Sequence, residues 1–235
     1  MIAKQPEGKP DEVRQELIRM LEEKERQRQR MIAINRQASA PVLTDLAQVG
    51  FNLEWVSDLY SKKLNYKDAI PILIKWLPRI ENLDVKEDIV RALSVSWAKH
   101  TAAPKLMVEE FRKYGAYPGL LWAIGNALSV VANDDVLNDI VGLIRDKTYG
   151  KAREMLVVAL GNMKSPDVKY TLIELLEDED LAGYAIMALG KLKCKEARPF
   201  IERFLTHPKS WVRREAKKAL AKIDKAIAKM ASNTD

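Results

Sequence analysis

The chain has 235 residues, of which 47% are hydrophobic and 31% charged, with a net charge of +6. That balance supplies a core and excludes wholesale disorder, and ten glycines with ten prolines are too few for a fibrous or low-complexity chain. One cysteine, Cys194, excludes an internal disulfide, and two histidines, His100 and His207, leave most zinc and di-iron motifs without ligands.

Residues 11–30 read as a helix whose first half carries an apolar stripe at Val13, Leu17, Met20 and Leu21. Its second half, residues 22–30, is charged on every face, so residues 1–40 are expected to form a solvated helical arm; a partner-binding or dimerising helix is the sharper alternative. Residues 41–66, with Leu43, Leu46, Phe51, Trp55 and Leu59, read as a short irregular capping pair. From residue 67 to 235 the pattern turns regular. The phrase Ala-Leu-Ser at 92–94 returns as Ala-Ile-Gly at 123–125, Ala-Leu-Gly at 159–161 and 188–190, and Ala-Leu-Ala at 219–221. The leading alanines are 31, 36, 29 and 31 residues apart. A phrase recurring at such a period is the signature of a solenoid.

Positions seven and three before each anchor alanine, the anchor itself, and one and four after it lie on one face of a helix. In the last unit these are Val212, Ala216, Ala219, Leu220 and Ile223, and across all five units every such position is apolar except Ser96. A second apolar-periodic segment precedes each one, at 69–80, 104–114, 136–145, 168–176 and 197–205. Ser165-Pro166 reads as a cap followed by proline in the first turn, Asp68 and Ser210 as caps, and Asp180 as the cap closing the acidic connector 177–180. Hairpin turns and sustained alternation are missing. The recurring small residues allow close helix approach.

The stretch Trp211-Val212-Arg213-Arg214-Glu215-Ala216-Lys217-Lys218-Ala219-Leu220-Ala221-Lys222-Ile223 resembles the second-helix signature of HEAT-like repeats, in the short variant named after phycobilisome lyases. The resemblance implies an all-α, right-handed α-solenoid of about five HEAT-like helix pairs with an N-terminal capping pair. It also implies a basic residue near the start of each second helix, where this chain has Lys86, Tyr117, Arg153, Ala182 and Arg213. A ladder between repeats is therefore expected to break at the second and fourth units.

Repeats of this kind serve many roles, so function must come from particular residues. Second helices usually line a concave surface that grips an extended partner. Asn126, Asn162, Lys191 and Lys222, each three residues past an anchor alanine, are the expected partner-binding ladder. Trp211, Arg214 and Lys218 at the start of the last second helix are expected to join them. Trp76, Trp97 and Trp122 lie on or beside apolar faces and are assigned to the core. The expected function is a non-catalytic scaffold for a protein partner. The alternative is a nucleic-acid-binding HEAT-like protein related to alkylpurine DNA glycosylases. Residues 191–235 hold thirteen Lys/Arg against five Asp/Glu, but residues 131–180 hold six against eleven. A groove that tracks phosphates is expected to be basic along its length, which favours the protein partner. The deoxyhypusine hydroxylases, also HEAT-like, need His-Glu pairs that this sequence lacks. Phosphate-binding glycine loops are missing and Cys194 sits in a packing position, so no catalytic residue, metal or cofactor is expected. No apolar run approaches the roughly 18 residues that cross a bilayer, and the start of the chain lacks a signal-peptide core. A cytoplasmic chain without membrane contact is the expectation.

Overall fold

A computed structural model describes residues 10–232. Among those residues it contains α-helices, short 3-10 segments and turns, and no strand. The helices are α1 (Pro10–Gln48), α2 (Asp58–Ser61), α3 (Ile70–Trp76), α4 (Leu83–Ala92), α5 (Ala103–Lys113) and α6 (Pro118–Val131). They continue with α7 (Leu137–Arg145), α8 (Arg153–Leu160), α9 (Asp167–Glu174), α10 (Ala182–Leu192), α11 (Arg198–Glu202) and α12 (Ser210–Ala231). Helices α3 to α12 form five consecutive pairs, and each second helix packs on the second helix of the next pair. The result is an all-α solenoid.

Local sequence explains most helix starts. Prolines stand in the first turns of α3, α5, α6 and α11, where a missing N–H costs nothing. Asn82 Oδ1 accepts from the Val85 N–H at 3.0 Å and caps α4, and Ser165 Oγ accepts from the Asp167 N–H at 3.4 Å beside Pro166. Three expected caps fall elsewhere. Asp68 lies in a 3-10 turn and caps nothing; Ser210 opens α12 while His207 Nδ1 takes the Lys209 N–H at 3.2 Å. Asp180 donates its own N–H to Asp178 Oδ1 at 3.0 Å, because Asp178 is the residue that faces the turn.

The repeating apolar face is the core. Of its positions only Ser96 and Ala116 are exposed, and Ala152 and Leu192 are half-buried. Along the joints of the last three second helices the small residues meet one another. A Cβ built on Gly161 would stand 3.1 Å from Ala188 Cα, and one on Gly190 would stand 2.7 Å from Ala219 Cβ and 2.8 Å from its Cα. The glycine of one phrase thus seats the anchor alanine of the next. The 36-residue interval breaks that match: a Cβ on Gly125 would meet Met155 Cβ at 3.0 Å, one helical turn before anchor Ala159. The extra residues are taken up by the 3-10 segment Lys147–Ala152, where Gly150 adopts φ 50° and lets the chain reverse.

Charge ties neighbouring repeats together at alternate joints. Lys86 on α4 is fully buried, yet its ammonium donates to the Leu77 carbonyl at 2.5 Å and to Glu110 Oε2 on α5, with the Tyr114 ring 4.9 Å away. Arg153 on α8 repeats the arrangement, donating to the Ile144 carbonyl at 3.1 Å and to Asp178 Oδ2 at 3.3 Å. Arg213 on α12 donates to the carbonyls of His207 and Pro208 at 2.7 and 2.8 Å. Each base therefore ties the end of its own first helix, and the first two also reach an acid in the following repeat. The breaks fall where expected, at Tyr117 and Ala182, and those two repeats are the ones that supply the acids.

At the N-terminal end α1 runs unbroken through the boundary expected at residues 40 and 41, with Pro41 inside it. Its last turns bury Ser39, Val42 and Leu46 against α3 and α4, whereas residues 12–30 are exposed on all sides. The capping pair is thus the end of α1 and the single turn of α2. Asp58 organises that turn by accepting from the N–H groups of Glu54 and Trp55 at 3.1 and 3.2 Å. No helix among the described residues is long and apolar enough to cross a membrane.

Candidate functional site: the second-helix face

On each second helix the residue one before the anchor alanine lies one turn from the residue three after it, so the two rows form one surface. The first row is Arg91, Trp122, Val158, Met187 and Lys218. The second contains the expected residues Asn126, Asn162, Lys191 and Lys222. Of the first row only Lys218 is an expected site residue, and Trp122, expected in the core, is not buried there. It is instead 55% exposed, with the Arg91 guanidinium 5.8 Å from its ring centroid. Trp97 is also exposed, and Trp76 is half-buried with its Nε1–H donating to Asp45 Oδ2 at 2.7 Å. The usable signal was the i, i+4 spacing of Trp122 to Asn126, which places both on the side of α6 away from Ile124.

Two clefts open on this face. The first, about 320 Å³, lies between α4 and α6 and is lined by Tyr60, Arg91, Ser94, Trp122 and Asn126. The Asn126 amide donates back to the Trp122 carbonyl at 3.0 Å within its own helix. At the rim Tyr60 donates to Asp88 Oδ1 at 2.7 Å. Burial, then the Asp88 carboxylate, raises the Tyr60 phenol above its ordinary range, and burial likewise raises Asp88 against the opposing effect of the Tyr60 hydrogen bond.

The second cleft, about 180 Å³, lies between α10 and α12 and brings together Lys191, Lys218 and Lys222 with Val158, Met187 and Glu215. Glu215 Oε1 accepts from Lys218 at 2.9 Å and lies 3.5 Å from Arg214 Nε, so two of the expected cations share one carboxylate. Lys191 is different. Its ammonium donates to Asn162 Oδ1, while Lys99 from the preceding half of the array donates to the Asn162 carbonyl at 3.0 Å. Asn162 also donates to the Ser129 carbonyl, so it is a tie between repeats rather than a free amide. Among the described residues no carboxylate pairs with Lys99, Lys191 or Lys222. Burial first, then the charges of Lys99 and Lys222, lowers the Lys191 ammonium below the usual lysine range.

Trp211 sits on the same side of α12, nearly two turns before Lys218. Its six-membered ring occupies the space a Cβ on Gly183 would fill, and it lies 5.2 Å from the Tyr184 ring. Tyr184 in turn donates to Glu154 Oε2 at 2.6 Å, and burial with that carboxylate pushes its phenol up to about 12. The indole is thus largely committed to packing between the last two repeats. The structure gathers Lys191, Lys218, Lys222 and Arg214 around one cleft, with Asn162 beside it. Asn126 belongs to the other cleft, and Trp211 to neither.

Residues 171–232, from within α9 to just past the end of α12, match the family model of HEAT repeats. HEAT repeats commonly act as protein-interaction scaffolds and are generally non-catalytic. No curated protein matches the chain.

Proposed function

We propose that this chain is a non-catalytic cytoplasmic scaffold that holds an extended acidic segment of a partner protein across its second-helix face. The observation that carries the reading is that Lys99 and Lys191 both donate to Asn162, with Lys222 beside Lys191 in the cleft, and that among the described residues none of the three ammonium groups is in an ion pair. Three ammonium groups held near one another repel, and an acidic side chain placed among them removes that repulsion while forming charge-assisted hydrogen bonds. Exposed Met187 in the same cleft, and Trp122 two repeats away, supply apolar anchors for the neighbouring side chains of such a segment. The spacing of one repeat per second helix suits an extended chain. The lone cysteine, buried and free, fits a reducing compartment.

The test uses the full chain as bait in its native extract, with and without nuclease, beside the double variant Lys191→Glu/Lys222→Glu. Neither lysine has an ion-pair partner among the described residues, but Lys191 donates to Asn162, so the unfolding midpoint of the variant is measured beside that of the wild type to show that it is folded. A protein retained in stoichiometric amount after nuclease treatment, and lost by the variant, is the expected result. Retention that vanishes with nuclease would move the reading to nucleic acid, and a partner held equally by the variant would remove this cleft from the interface.

A further inference from the structure

Up to Met31, α1 is a solitary helix with an apolar face that nothing among the described residues covers. Val13, Leu17, Met20, Met31 and Ile34 are each 44–56% exposed, in a stretch where every residue from 12 to 31 faces water. Together with Lys24 and Gln27 they form the series 13, 17, 20, 24, 27, 31, 34, which alternates steps of four and three and ends before Ala38, a residue that packs against the solenoid core. That is a repeat of 3.5 residues. On a lone straight helix such a seam drifts around the surface, and it stays on one side only when the helix winds about another.

The charge along α1 says what the other helix is. Glu12, Glu16, Glu22, Glu23 and Glu25 lie in its first part, mixed with Arg14, Arg19 and Lys24. Arg26, Arg28, Arg30 and Arg36 follow, with no acidic residue until Asp45. A second copy running the opposite way sets the acid-rich part against the wholly basic one. We propose that residues 17–34 of α1 pair with the same residues of a second copy of this chain as an antiparallel coiled coil.

The register follows from the seam. Aligning the stretch 17–34 antiparallel about its centre pairs Leu17 with Ile34, Met20 with Met31, and Lys24 with Gln27 of the second copy. The two polar seam residues then meet each other, which is how a coiled coil fixes register and orientation. A parallel pair would instead oppose Lys24 to Lys24 inside the seam. The same alignment sets Glu23 opposite Arg30 of the second copy, twice by symmetry. Within one chain Glu23 and Glu25 have only exposed partners one turn on, Arg26 at 3.5 Å and Arg28 at 3.6 Å, and these are weak and easily exchanged. Such a dimer places one solenoid at each end of the helical pair, so two copies of the second-helix face act together. The inference does not depend on what that face binds.

The test is sedimentation equilibrium of the full chain over a range of micromolar concentrations. The wild type is expected to approach twice its 26.7 kDa mass. The variant Leu17→Glu/Met20→Glu should stay at the single mass while keeping the wild-type unfolding midpoint, since neither side chain touches the solenoid. Glu23→Arg and Arg30→Glu should each dissociate alone and associate when mixed, because the mixture restores both cross-pairs. A wild type that remains at 26.7 kDa throughout overturns the proposal, as does a dimer indifferent to Leu17→Glu/Met20→Glu. Charge-reversed chains that stay apart on mixing overturn the antiparallel register.

Discussion

The joint between the first and second repeats and the joint between the fourth and fifth connect equivalent elements, and they are closed by opposite means. In the first, Lys86 crosses to Glu110 with both side chains almost wholly out of water. In the last, the corresponding position is Ala182 and no buried pair forms there; the ring of Trp211 fills the space above Gly183, and α10 and α12 meet where Gly190 faces Ala219. A buried pair holds two helices at the length of a lysine and a glutamate, whereas glycine against alanine brings backbones together and maximises dispersion contact. The third joint uses both devices, with Arg153–Asp178 beside Gly161–Ala188. A repeat array can therefore tolerate loss of its charged ladder wherever small residues let the helices close.

The two joints should fail under opposite kinds of substitution. At the first, removal is the damaging change. Glu110→Ala strands a buried ammonium and is expected to cost about 3–5 kcal/mol in urea unfolding, whereas Lys86→Met/Glu110→Leu should recover most of that loss. A cost near zero for Glu110→Ala would mean that Lys86 reaches water, and the contrast would dissolve. At the last joint, addition is the damaging change. Gly190→Ala gains helix propensity but drives a methyl into the Ala219 backbone, for an expected loss of about 1–3 kcal/mol. Gly142→Ala on α7 is the control: nothing lies within 4 Å of its Cβ position, and the same exchange there should gain about 0.5–1 kcal/mol. Equal effects at the two glycines would deny the close approach.

The smallest effect concerns a surface pair between the fourth and fifth repeats. Lys169 Nζ donates to Glu196 Oε1, and that contact, with the backbone N–H of Glu196 itself, holds the Glu196 carboxyl at about 2 against an ordinary 4.5. Because the folded value lies below the unfolded one, the ionised form stabilises the fold above about pH 5. That contribution disappears as pH falls from 4.5 toward 2. With Glu196 more than half exposed the contribution is below about 1 kcal/mol. Glu196→Gln should flatten the acid limb of stability against pH by that amount, and an unchanged limb would assign the pair no stabilising role.

Much of this molecule is legible one segment at a time. The five pairs and the buried Val212-Ala216-Ala219-Leu220-Ile223 face with its counterparts follow from local period and spacing, and the breaks in the ladder at Tyr117 and Ala182 from the resemblance to HEAT-like repeats. A helix declares its buried side through residues three and four apart, which the chain places next to each other whatever surrounds it. The length of α1 was half legible: its charged run is built of strong helix formers, so it continues as helix without a core to pack on. What lay beyond reach was the pairing across repeats. That Glu110 meets Lys86, that Asn162 ties Lys99 to Lys191, and that Trp211 packs on Gly183 while Trp122 faces water depend on residues more than twenty positions apart. Such contacts are set by how far each pair is rotated and shifted against the next. A one-turn shift, as between Gly125 and Met155, leaves every helix's own pattern unchanged and alters which side chains meet. The sequence by itself determined the helices and their buried faces, because both are local properties of the chain. The tertiary structure decided the surface between repeats, because register is the sum of many contacts that no single segment contains.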